Sequence, residues 1–182
     1  MHAAFAAWRA FQDKVLAPAA ALLLIGSTLL GLLEVVRRYV LGLSFDWQQD
    51  AVTYFMLSGV FLYFSISQRK DAHLQVTLVP ELLMIAGPRA QLAAAIVKLV
   101  ALLFAFVFLV AVVWWGIPEI EESIAYDVRS ESLAFLMWPF LAVLLASFAF
   151  MAVTMLFQLW FMVEKLRGRP VPEEPADREA TH

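Results

Sequence analysis

Four long apolar runs divide this chain: Val15 to Leu33, Ala51 to Ser67, Leu92 to Ile117, and Leu133 to Val163. Each is near or above the roughly 17–25 residues that a helix needs to cross about 30 Å of hydrocarbon. The pattern therefore predicts an all-α membrane protein with four transmembrane helices, at about 15–36, 47–68, 91–117 and 138–163. The last run exceeds one crossing, and Pro139 is expected to end its first turns or to kink it. Indole favours the membrane–water boundary, and all six tryptophans (Trp8, Trp47, Trp114, Trp115, Trp138, Trp160) fall at ends of these spans. Trp138 and Trp160 stand about 33 Å apart along a helix that rises about 1.5 Å per residue.

The segments between the runs have patterns of their own. Over residues 1–14, Phe5, Trp8 and Phe11 recur at helical spacing among Arg9, Gln12, Asp13 and Lys14, which predicts a short amphipathic helix in the interface. The run after it is too long for the roughly 7–15 residues of a signal-peptide core. Between Gln68 and Gln91, the stretch Val76 to Ile85 is too short to cross and too apolar to float free. It predicts an interfacial helical segment, broken at Pro80 and at Gly87-Pro88. Residues 165–182 are Pro-rich and charged, as in a disordered tail.

Arg9, Lys14, Arg69, Lys70, Arg89, Lys165, Arg167, Arg169 and Arg178 lie on one side of these spans, and only Arg37, Arg38 and Arg129 on the other. The positive-inside bias places both termini in the cytoplasm, an N-in/C-in topology with the membrane domain over 15–164 and a cytoplasmic tail.

Composition narrows the function classes. Hydrophobic residues make up 63% of 182 and charged ones 16%, far from a soluble domain's balance. The formal net charge of -3 offers no basic face, so nucleic acid is not an expected partner. Cysteine is absent, and His2, His73 and His182 lie outside the spans. No haem-ligating pair is thus placed within the bilayer. Glu119, Glu121 and Glu122 read first as a solvated face rather than a metal site. No catalytic, cofactor or metal residues are assigned, and the chain is read as a non-enzyme. Transport pathways are marked by ionisable groups deep in spans, whereas here Lys98 alone lies inside a run, near enough to its start to snorkel out. Ser27 with Gly31, and Ala142 with Ala146, are small pairs suited to close helix contact. The aromatic stripe Tyr54, Phe55, Phe61, Tyr63 and Phe64 reads as bulk facing lipid or a partner.

The densest polar chemistry lies between the first two spans, in EVVRRYVLGLSFDWQQDAVTY from Glu34 to Tyr54. Glu34 and Arg38 are one turn apart, with the acid N-terminal, the favourable order for a structural ion pair. Gly42 and Ser44 break the helix, and Trp47 opens the next span.

From Glu34 to Val76 the chain resembles the small (Q) membrane subunit of TRAP transporters, the DctQ family. The resemblance rests on Glu34, the pair Arg38 and Tyr39, the turn at Gly42, Trp47, Asp50, Arg69 and His73. The family often has paired glutamates after the tryptophan, where this chain has Gln48, Gln49 and Asp50. The resemblance implies a small permease subunit at the bacterial or archaeal inner membrane, in a tripartite, sodium-coupled, binding-protein-dependent secondary transporter for an organic acid. Its implied partners are a large elevator-type membrane subunit (M type), an extracytoplasmic substrate-binding protein and membrane lipids. The subunit would pack against the large one without carrying substrate, and Tyr39, Gly42, Trp47, Asp50, Arg69 and His73 are candidates for that interface. Glu119, Glu121 and Glu122, on the side where a binding protein arrives, are docking candidates. The alternative is a stand-alone four-helix redox or quinone-binding membrane protein; a self-assembling channel is a third reading.

Overall fold

The computed structural model describes residues 2–43, 45–69 and 88–167. Apart from one isolated antiparallel bridge between Arg129 and Leu136, its regular structure is helical among those residues. Four helices are long and apolar enough to cross a membrane.

The first is unbroken over Ala3–Leu41, 39 residues. It begins as α1 (His2–Phe11), widens into a π turn over Gln12–Leu16, and continues as α2 (Ala17–Val36). Pro18 accounts for the widening, because it has no N–H to donate to Lys14 and its ring crowds that carbonyl. A wider turn just before it re-satisfies the backbone, and the Ala17 N–H indeed reaches back to the Gln12 carbonyl. A second π turn, Arg37–Leu41, ends the helix. There Gly42 adopts φ +67°, and the Gly42 and Leu43 N–H groups both close on the Arg37 carbonyl. A side chain at Gly42 would be strained in that left-handed conformation.

The remaining helices are α3 (Asp46–Arg69), α4 (Pro88–Ala125) and α5 (Trp138–Leu166). The helix α5 starts where Pro139 can be tolerated, in a first turn whose N–H groups have no intrahelical acceptor. α3 is the middle element, with α2 packed along one side of it and α5 along the other, while α4 packs along α5. Along the first long helix the stripe Leu16, Ala20, Ser27 is buried, and Leu16 and Ala20 cluster with Leu62 and Ile66 of α3 and with Val143 and Phe150 of α5. A second cluster, Leu109 with Ala152 and Met155, joins α4 to α5. α2 and α3 approach closely at Gly59, where an added Cβ would lie 2.9 Å from Leu24 Cγ and 3.2 Å from the Ala20 carbonyl.

Three features differ from the pattern-based picture. The N-terminal segment continues into the first long helix without a break and packs on α5 through Phe5 against Phe157 and Phe161. Residues 118–125, expected to be loop, continue α4 through Pro118; most of their helical hydrogen bonds survive one missing N–H. The aromatic stripe splits: Tyr54, Phe55 and Phe61 turn inward onto Phe140 and Phe148 of α5, whereas Tyr63 and Phe64 stay exposed. At about 100° per residue, positions 54 and 61 fall on one helix face and 63 and 64 on others. The expected interfacial segment at 76–85 and the tail beyond 167 lie outside the described residues.

Candidate functional site

Polar chemistry gathers at two levels of the bundle, which are called here the Trp47 end and the Gln12 end.

At the Trp47 end, Glu34 and Arg38 approach to 3.8 Å, with side-chain exposures of 18% and 56%. Glu34 continues the buried α2 stripe one turn beyond Gly31, where an added Cβ would meet Val52 at 3.9 Å. A carboxylate in that position stands where α2 and α3 separate, and Arg38 turns back over it. Arg37 lies on another face, its guanidinium carbon 4.1 Å above the Phe45 ring. Tyr39 is 82% exposed. Gly42 provides the turn that returns the chain toward α3. Trp47 touches Phe45 and, edge-on, Phe135 in the loop between α4 and α5.

Asp50 faces that same loop, where its Oδ2 accepts the Ser132 N–H at 3.0 Å and the Ser132 hydroxyl at 2.6 Å. The loop is a small closed hairpin. The Ser130 N–H reaches the Phe135 carbonyl at 2.9 Å, and the Met137 N–H reaches Val128 at 2.9 Å. Arg129 closes on Asp127 at 2.9 Å. Trp47, Asp50 and Tyr54, the last stacked on Phe140 at 4.8 Å, therefore clamp the far hairpin onto the first turns of α3. Glu119, Glu121 and Glu122 are exposed in the last turns of α4, beside this hairpin.

At the Gln12 end a polar hub ties three helices together. The Thr154 hydroxyl donates to the Phe150 carbonyl at 3.0 Å. It accepts from Trp8 Nε1 and from Gln12 Nε2, each at 3.1 Å, so its hydrogen-bonding capacity is full. The second Gln12 donor reaches the Ser65 carbonyl at 3.2 Å. Both partners of Nε2 are acceptors, which fixes the amide's orientation and leaves Gln12 Oε1 buried without a donor. Gln12, Ser65 and Thr154 are all fully buried. A neighbouring link runs from Gln158 to the Gln68 carbonyl at 2.9 Å.

Of the sequence-predicted residues, the structure brings together Glu34 with Arg38, and Trp47 and Asp50 with the hairpin. Arg69 is the last residue of α3, and His73 lies outside the described residues. The Asp50–Ser132 contact spans 82 positions and the Gln12–Thr154 contact 142. Only the hydroxyl of Thr154 in an apolar run could have hinted at the second, since Gln12 sits among Arg9, Asp13 and Lys14. Among the described residues no three His, Cys, Asp or Glu side chains converge. The buried polar set, Gln12, Ser27, Gln48, Ser58, Ser65, Ser123, Ser130, Ser147 and Thr154, is uncharged. Such groups join helices and close turns.

The family profile described as "Tripartite ATP-independent periplasmic transporters, DctQ component" matches residues 27–165, from the middle of α2 through α5. A search of curated proteins found none that matches the chain.

Proposed function

This chain belongs to the DctQ component family of tripartite ATP-independent periplasmic transporters, and from that premise we propose that it is the scaffold half of a two-part permease. It is a multi-pass protein of the cell membrane and one component of a tripartite system. In this reading it packs against the large membrane subunit, which carries an organic acid inward with sodium, and it neither moves nor binds the substrate. Both termini are cytoplasmic, so the Trp47 end faces the binding protein. The observation that carries the reading is the uncharged character of the buried polar set among the described residues. Ion and substrate pathways are lined by ionisable groups facing the bundle interior, and amides and hydroxyls there serve instead as helix-to-helix glue.

The test is sodium-driven uptake of the binding protein's ligand into proteoliposomes, with this chain alone, the large subunit alone, and both together. Uptake should require both membrane subunits and the binding protein. Uptake by this chain alone would overturn the scaffold assignment. Within the same reading, Glu119, Glu121 and Glu122 form a docking edge for basic residues of the binding protein. The clamped hairpin beside them holds that edge in a fixed place relative to α3.

A further inference from the structure

Arg37 is left over by every role assigned above. Arg38 turns back to Glu34, but among the described residues Arg37 has no carboxylate partner, and its guanidinium carbon lies 4.1 Å over the Phe45 ring. Asp46, the very next residue after Phe45, does not pair with it. Stacking on the ring supports one face of the guanidinium while leaving its N–H edge free to donate.

Below Arg37, toward the middle of the bundle, α2 presents Val36, Leu33, Leu29 and Ile25 on successive turns, with exposures of 52%, 48%, 61% and 58%. From Ile25 to Arg37 that track is about 18 Å long at about 1.5 Å per residue. One leaflet contributes about half of a hydrocarbon core roughly 30 Å thick, or about 15 Å. A fork of free donors thus stands at the head of an apolar track one leaflet deep.

We propose that Arg37, braced on Phe45, binds the phosphodiester of a phospholipid whose acyl chain lies along Ile25, Leu29, Leu33 and Val36. The charge of the site selects the ligand, since the phosphodiester supplies the oxygen acceptors that Arg37 lacks. The length of the track selects a lipid over a free anion. The site depends on membrane placement alone and stands whether or not the scaffold reading holds.

The experiment uses the full chain, purified in detergent and supplied with phosphatidylglycerol, then examined by native mass spectrometry and by thermal unfolding. Wild-type protein should retain one phospholipid after annular lipid has been stripped, and added lipid should raise its Tm. In Arg37→Gln that retained lipid should be roughly fivefold weaker, in line with one interfacial base, and the Tm rise should shrink. Arg37→Lys should recover part of both, because it keeps the charge and loses the stacked fork. Phe45→Leu should weaken retention without removing charge. Circular dichroism checks that each variant is folded. Equal retention in wild type and Arg37→Gln overturns the proposal. Displacement of the lipid by millimolar inorganic phosphate also overturns it, since the site would then be a simple anion site. A third overturning result is an Arg37→Gln chain that keeps its lipid but no longer co-purifies with the large subunit, which would make Arg37 a protein contact.

Discussion

Single side chains fix where the long helices meet. The Thr154 hydroxyl makes one donated and two accepted hydrogen bonds. Thr154→Val keeps the shape and strands the Trp8 and Gln12 donors. Interhelical hydrogen bonds in bilayers average about 0.6 kcal/mol with a maximum near 1.7, while a stranded buried donor costs about 1–3 kcal/mol. Thermal unfolding in detergent should therefore show a loss of about 1–3 kcal/mol. Adding Gln12→Leu should restore part of it, because an absent donor costs less than a stranded one. Asp50 acts locally by comparison. Asp50→Ala removes both hydrogen bonds to Ser132, and hydrogen exchange should quicken across residues 126–137 while α2 and the N-terminal helix stay as protected as in wild type. Uniform exchange across the chain would mean that Asp50 holds the whole fold rather than the hairpin. Of the residues in these contacts, the sequence singled out Asp50 alone as an interface candidate. Asp50 stood out by its place after Trp47, but the identity of its partner depends on how α5 returns to α3.

At the scale of elements, only the small pair Ser27–Gly31 of the α2–α3 packing surface was legible in the sequence. Leu16, Ala20 and Ser27 recur at spacings of four and seven, and the small pair Ser27–Gly31 lies on that stripe. That pair could not say which glycine carries the close approach. Gly59 does, with Leu24 and the Ala20 backbone within contact range of any Cβ, while at Gly31 an added Cβ meets Val52 at an ordinary 3.9 Å. Gly59→Ala should therefore destabilise by about 1–3 kcal/mol as an overpacking change, and Gly31→Ala should be close to neutral. Both are read as Tm of the same detergent-solubilised protein, and equal effects would show that the two sites pack alike. The two π turns have separate causes. Pro18 explains the first through a missing N–H. The second precedes the left-handed Gly42, where helix winding loosens as the chain turns back.

Over the whole molecule, the acidic edge at the end of α4 is positioned by an extended helix and a clamped hairpin, not by a free loop. Replacing Glu119, Glu121 and Glu122 with Gln should leave folding unchanged and raise the binding-protein concentration needed for half-maximal uptake at low salt. Such rim charges act mainly on encounter rate and are screened beyond about 8 Å at physiological ionic strength, so the difference should close as salt rises. Coincident uptake curves at low salt would leave the edge as a solvated cap. The apolar runs alone determined that this is a four-helix membrane protein, because crossing hydrocarbon demands length and hydropathy that no loop can imitate. The ordered residues from Glu34 onward indicated its family. Only the tertiary structure decided that α3 lies between α2 and α5, that Tyr54 and Phe61 face inward while Tyr63 faces out, and that Gln12 meets Thr154. In a span that is apolar all round, periodicity cannot distinguish a lipid-facing side from a helix-facing one. That choice is made by shape and by scattered hydrogen bonds between residues far apart in the chain.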